Sequence, residues 1–223
     1  MILGEVLPFL IIGGVIAVVL VGIGAAMWYE KKRREELASL AEELGLAFQP
    51  EGDAQLHRQV GTFALFSQGG ARKINNLILG ETDEVKIALF DYQFTTGSGK
   101  QKQTHRQTVA SLQSPSLKCP PFSMRPEGMF DKIGGAFGMQ DIDFESHPLF
   151  SSMFLLKGDE TQVRKFFTPE VLSFFETQKG ISVEARPGAL IFYRARTRVK
   201  PAEMKNLLAQ AYEIFGFMVD QTV

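Results

Sequence analysis

The chain has 223 residues, enough to bury one large or two small cores. Its 24 Lys and Arg against 25 Asp and Glu leave a formal charge of −1, so no overall field selects nucleic acid or an acidic partner. The single cysteine, Cys119, excludes an internal disulfide and a cysteine-built metal site, in keeping with a reducing compartment.

The first element is read from Val6–Trp28, VLPFLIIGGVIAVVLVGIGAAMW, which carries no charge. At about 1.5 Å per residue such a helix crosses a bilayer core of roughly 30 Å. Its glycines weaken a soluble helix but are tolerated in lipid, and Trp28 and Tyr29 fall where an interfacial aromatic belt belongs. A cleavable signal peptide needs positive charge before a shorter apolar run, whereas the charged side chain here is Glu5. Gly13 with Ala17, and Gly22 with Ala26, make small-residue pairs suited either to lipid or to a second helix.

Lys31, Lys32, Arg33 and Arg34 follow the run and place the remainder in the cytoplasm, with the short N-terminus outside the plasma (inner) membrane. The four are also expected at the membrane surface, within reach of anionic head groups. Residues 29–45 read as a juxtamembrane stalk helix continuing the membrane segment. Leu37, Leu40, Ala41 and Leu44 make its apolar stripe, and Gly45 makes its stop.

Residues 46–223 read as an α+β domain in which a β-meander precedes C-terminal helices, with subregions 46–127 and 140–223. After a turn-like Gln49–Asp53, strands are expected at Phe63–Phe66, Lys73–Leu79, Val85–Phe94 and Gln103–Leu112, with Asp83-Glu84 as a turn. Gly128–Gly138 reads as a glycine-rich connection or short broken helix, and Met153–Leu156 as a strand. Thr168-Pro169 opens a helix running to about Gln178. Ile181–Glu184 and Ala189–Arg196 form a hairpin around Pro187-Gly188. Pro201 opens a last helix with Met204, Leu207, Leu208, Ala211, Phe215 and Met218 on its buried face.

Three stretches invite chemistry. Thr95–Lys100, TTGSGK, resembles a phosphate loop, but Phe94 and Gln101 occupy the positions that need Gly and Ser or Thr. A strand rather than a helix follows, so a hairpin tip is the expectation. Around that tip Asp91, Tyr92, His105 and Arg106 make a polar strand pair, read either as a satisfied ion pair of Asp91 with Arg106 or His105 or as a ligand surface. Asp141, Asp143, Glu145 and His147 alternate, and in an extended segment would share one face. Asp141, Asp143 and His147 are the candidate cation ligands, although one strand rarely supplies a whole coordination sphere. Arg194, Arg196 and Arg198 alternate along the expected last strand and form a candidate anionic-partner row. His57, His105 and His147 lie in unrelated segments, so no nucleophile–His–acid set is read.

FDYQFTTGSGKQKQTHRQTVA (from Phe90), RPEGMFDKIGGAFGMQDIDFESHPLFS (from Arg125) and FFTPEVLSFFE (from Phe166) together resemble a family of bacterial membrane-anchored proteins that carry a domain of unknown function. The resemblance runs from about Leu40 to the C-terminus and implies a bacterial source and an N-terminal anchor; it carries no catalytic residues. The function expected is partner binding or scaffolding at the membrane by a single-pass protein, with the bilayer, a protein or a second copy as partner and no cofactor. The alternatives are a membrane-tethered metal-dependent hydrolase and a domain for anionic lipid or a small ligand.

Overall fold

The computed structural model describes residues 2–128 and 141–221, with side chains from Ile12 onward. One helix, α1 (Ile2–Glu43), contains both the apolar run and the stalk without a break. It stops in a Schellman turn: Gly45 adopts φ 68°, its N–H reaches the Glu42 carbonyl, and the Leu46 N–H reaches that of Ala41 at 2.8 Å. From Ile12 to Trp28 the helix is exposed on every side, with Val18 73% and Val21 72% accessible. It is long and apolar enough to cross a membrane.

The domain is built on one eight-stranded antiparallel sheet, ordered β1-β2-β3-β4-β8-β7-β5-β6. β2 (Gly70–Glu81), β3 (Lys86–Thr96) and β4 (Gln103–Gln113) are the expected meander, longer than the apolar alternation alone suggests. β7 (Ser182–Arg186) and β8 (Ala189–Tyr193) are the expected hairpin, and β6 (Phe154–Gly158) follows a short helix α3 (Pro148–Met153). β5 (Phe122–Pro126) pairs with both β6 and β7, so the sheet runs through both expected subregions. The glycine-rich connection lies almost wholly outside the described residues.

Several elements differ from expectation. Phe63–Phe66 belongs to a 3-10 turn (Ala64–Ser67), its aromatic and aliphatic side chains packing on the sheet rather than joining it. The turn-like Gln49–Asp53 instead holds the end of edge strand β1 (Ala47–Glu51), where Pro50 is tolerated because an edge residue need not donate to a ladder. Two short helices follow Asp residues that accept from the third backbone N–H onward. Asp53 caps α2 (Ala54–Val60) through Leu56, and Asp159 caps α4 (Glu160–Phe166) through Gln162. α5 (Pro169–Glu176) and α6 (Met204–Asp220) complete the set, with Leu208 at the edge of the α6 stripe and Ile214 inside it.

The two sheet faces carry separate cores. On one, α1 and α6 cover Leu89, Ala110, Leu112 and Phe192, while α3–α5 contribute a phenylalanine cluster around Phe167. On the other, α2 and the 3-10 turn cover Phe90, Tyr92, Phe94, Val109 and Ile191. This second core contains a carboxylate, Glu184, that is 3% exposed. Its Oε1 accepts from Tyr193 Oη at 3.0 Å and from the Leu65 N–H at 3.1 Å, which ties the 3-10 turn to the sheet.

Burial pushes the Glu184 pKa up to about 7, against the lowering effect of its hydrogen bonds from Tyr193 and the turn N–H groups. An acid whose folded pKa is raised binds more protons folded than unfolded, so its contribution falls as pH rises from about 4.5, the ordinary glutamate value, to about 7. His105, whose pKa burial lowers, slopes the opposite way over part of that range, so the informative quantity is a difference between variants. Glu184→Gln keeps the acceptor and removes the titration. Thermal unfolding of the detergent-solubilised chain should show this variant gaining about 1–3 kcal/mol on the wild type between pH 5 and 8; a pH-independent difference contradicts the assignment.

Candidate functional site

Helix α1 meets the sheet through a file of buried positions one turn apart: Arg33, Leu37 and Ala41, at 3%, 0% and 0% exposure. Leu37 and Ala41 belong to the expected apolar stripe. Arg33 extends that stripe one turn toward the membrane run, so it is not part of the exposed basic surface expected for residues 31–34. Lys31, Lys32 and Arg34 are exposed; Lys31 and Lys32 sit 3.8 Å from Glu35 and Glu36, and Lys32 lies over the Trp28 ring.

Arg33 is buried because Asp91, near the middle of β3, faces it. The Arg33 Nε and Nη2 each donate to one Asp91 oxygen at 2.8 Å, a bidentate pair. Three further donors converge on the same carboxylate: Asn76 Nδ2 at 2.9 Å, Thr108 Oγ1 at 3.0 Å and Arg198 Nε at 3.0 Å. Asn76 reaches it from a register shift in β2 between Asn75 and Ile78, where its φ of 53° lies in the left-handed region that Asn tolerates. Thr108 is directly opposite Asp91 in the β3–β4 register, and its hydroxyl also accepts from the Val199 N–H at 3.0 Å. The segment after β8 is thereby held along β4, and Arg198 is delivered to Asp91.

Arg198 spans two acids. Its Nε serves Asp91, while Nη1 and Nη2 donate at 2.6 Å to the two carboxylate oxygens of Glu30 on α1. Two guanidinium groups and two carboxylates therefore cancel in a cluster that joins the helix, three strands and the segment after β8. Burial raises the Asp91 pKa, but the hydrogen bonds and charges of Arg33 and Arg198 outweigh it and hold the carboxyl below 3.8. The bond from Arg198 likewise lowers Glu30, and burial of Arg198 is outweighed by its two acids, so its pKa rises. Both carboxylates are ionised at neutral pH, and their contributions are lost only as pH falls below about their ordinary values, 4.5 for Glu30 and 3.8 for Asp91.

The other sequence-predicted residues are dispersed. Tyr92 and His105 point to the opposite sheet face. Tyr92 packs with its ring 4.4 Å from that of Phe66, and His105 stacks on Phe94 at 4.8 Å with a ring nitrogen 2.7 Å from Thr96 Oγ1. Neither His105 nor Arg106 is shown paired to Asp91; Arg106 is exposed, with its Nε 3.4 Å from Gln93 Oε1. Strand β8 ends at Tyr193, so Arg194, Arg196 and Arg198 do not form one row. Arg194 donates to Gln210 at 2.7 Å, Arg196 adopts φ 59°, and Arg198 turns inward to the cluster.

Asp141, Asp143 and His147 do not converge either, because the segment is irregular rather than extended. Asp141 Oδ1 accepts from the Leu156 N–H at 2.8 Å, and His147 precedes α3 with Nδ1 3.0 Å from Ser146 Oγ. Among the described residues no group of three His, Cys, Asp or Glu side chains could hold a metal ion. TTGSGK is the tip of the β3–β4 hairpin. Gly97, at φ 73°, lies so close to the Gln101 carbonyl that a Cβ there would overlap it.

No protein-family model matches the chain, and no curated protein sequence matches it. Among solved structures it is similar to the mycobacterial trehalose monomycolate transport factor A, TtfA, with a TM-score of 0.57 and 13% identity over 86% of this chain and 91% of that one. At that identity the likeness is one of fold.

Asp91→Ala leaves the buried Arg33 guanidinium without its acid, while Arg198 keeps Glu30; removing one partner of a buried pair costs about 3–5 kcal/mol. We expect a correspondingly lower unfolding midpoint for the detergent-solubilised variant, together with a broadened spin–spin distance between labels on exposed α1 and β-sheet positions. An unchanged distance distribution means that the apolar contacts alone hold the helix.

Proposed function

We propose that the chain is a single-pass plasma-membrane protein, N-terminus outside, whose α+β domain stands on the cytoplasmic face as a rigid platform for a protein partner in a membrane assembly. The observation that carries this reading is the ion cluster. It fastens the first turns beyond the apolar run to the centre of the sheet, so the direction of the membrane helix sets the orientation of the domain. A flexible tether would keep the domain near the bilayer without orienting it; a continuous 42-residue helix clamped by buried charge does both.

Supporting the topology, exposed apolar side chains surround the helix up to Trp28, and the exposed cations Lys31, Lys32 and Arg34 follow at once. As a fold-level analogy, the likeness to a protein named as a transport factor agrees with a non-catalytic role. The resemblance to bacterial membrane-anchored proteins supports the choice of membrane. A hydrolase built on Asp141, Asp143 and His147 is disfavoured by the separate engagements of Asp141 and His147.

Carbonate washing should leave the chain in the membrane pellet, and protease added to intact spheroplasts should leave the domain uncut. Release by carbonate, or digestion from outside, overturns the topology. Cross-linking in native membranes should then join the wild type to a distinct membrane protein, and Asp91→Ala should lose that product. A product consisting only of a second copy replaces the partner reading with self-assembly.

A further inference from the structure

Where α1 leaves its apolar run, an open groove of about 1100 Å³ lies between the helix and the base of β4. One wall is Ala26–Lys31 with Arg34; the other is Gln103–Arg106, with Arg196 and Arg198 behind. The groove therefore begins at the aromatic residues that mark the bilayer boundary and runs along the first turn outside it. Its charge is one-sided. Arg198 is held by Glu30 and Asp91, and Lys31 sits 3.8 Å from Glu35, so Arg34, Arg106 and Arg196 are the other exposed cations of the lining. Arg34 has no ion pair among the described residues, and the Arg106 Nε lies 3.4 Å from the neutral Gln93 Oε1, its charge also acting on Glu30. Arg34 and Arg106 come from opposite walls, so a phosphate between them meets two planar forks at once.

We propose that this groove is a site for the head group of an anionic phospholipid, bound with its phosphate between Arg34 and Arg106 and its chains along α1 beside Ala26 and Met27. The assignment deepens the membrane reading and rests on it. A lipid fits the groove better than a soluble phosphate compound because one end of the cavity is apolar and continuous with the membrane helix, at Ala26, Met27 and Trp28. The chain as a whole is nearly neutral, so selectivity resides in this local arrangement.

The chain's single tryptophan, Trp28, lines the groove and reports on it. The full chain is placed in nanodiscs of one fixed phosphatidylglycerol–phosphatidylcholine composition. Bromine is carried near the head group either by the phosphatidylglycerol or, at equal mole fraction, by the phosphatidylcholine. Quenching should show the anionic lipid enriched around Trp28 by about fivefold or more, the factor one basic side chain near the surface supplies. Arg34→Gln with Arg106→Gln should bring the two lipids to parity, while Lys205→Gln, an exposed cation outside the groove and paired with Glu43, should retain the preference. Equal quenching in the wild type, a preference that survives the double substitution, or an equal loss in Lys205→Gln overturns the site. Inorganic phosphate at constant ionic strength should leave the preference intact; its loss means the groove takes free phosphate and overturns the lipid assignment. Quenching by neither lipid means Trp28 is not at the bilayer, and it refutes the membrane reading as well.

Discussion

The Asp91 carboxylate is the constraint from which the rest of the arrangement follows. A carboxylate at 5% exposure is tolerable only if its lone pairs are filled by donors and its charge is matched. Here five donors from four separate parts of the chain do this: α1, β2, β4 and the segment after β8. Each supplier is distorted or fixed to deliver its group. β2 takes an irregular register to aim Asn76, the chain leaves β8 at Tyr193 and runs along β4 to bring Arg198 back, and α1 turns an arginine rather than a leucine toward the core. Hydrophobic area alone would let α1 slide or rotate against the sheet, since apolar contact is non-directional. A bidentate guanidinium pair admits one rotation and one register.

The sheet separates two ways of burying an acid. Asp91, on the α1 face, meets two arginines and stays ionised. Glu184, on the opposite face, meets a tyrosine hydroxyl and a backbone N–H but, among the described residues, no cation at hydrogen-bonding distance, so burial dominates and its pKa rises toward neutrality. Burial is comparable and the chemistry of the residue is nearly the same. The neighbours decide the charge state, and with it whether the group holds two elements together at every physiological pH or only conditionally.

Elements with a local periodic signal were legible from the residues: the apolar run, the meander of β2–β4, the β7–β8 hairpin and the helix opened by Thr168-Pro169. Elements made by short segments were not. β1 contains a proline that suggested a turn, and α2 and α4 span only seven residues each, too few for a helical stripe to stand out. Arg33 sat inside a basic tetrad whose topological meaning absorbed it. Its position four residues before Leu37 and eight before Ala41 was the available signal, because a stripe continued by an arginine calls for a buried acid. Asp91 is unusually polar for a central strand, but its arginine partners come from positions 58 and 107 residues away, and no spacing rule reaches that far. The alternation of Arg194, Arg196 and Arg198 implied a common face only if the strand continued; with Arg196 in the left-handed region, it does not.

The cluster is also graded in depth, and the gradient bears on how the bilayer surface communicates with the sheet. Its inner link, Arg33 with Asp91, has side chains 3% and 7% exposed; its outer link, Arg198 with Glu30, has 18% and 47%. Counter-ions and head groups screen an exposed pair strongly and a dry one hardly at all. Anything that competes at the membrane surface therefore acts first on Glu30, and Arg198 is the group through which such an effect passes to Asp91, because it alone among the four is bonded to both acids. Loosening the outer link leaves the Arg33 pair, and hence the docking of α1, in place. Glu30 and Arg198 both line the groove, so breaking that link separates two charges there without changing their sum, and the rotation of α1 stays fixed by the inner pair.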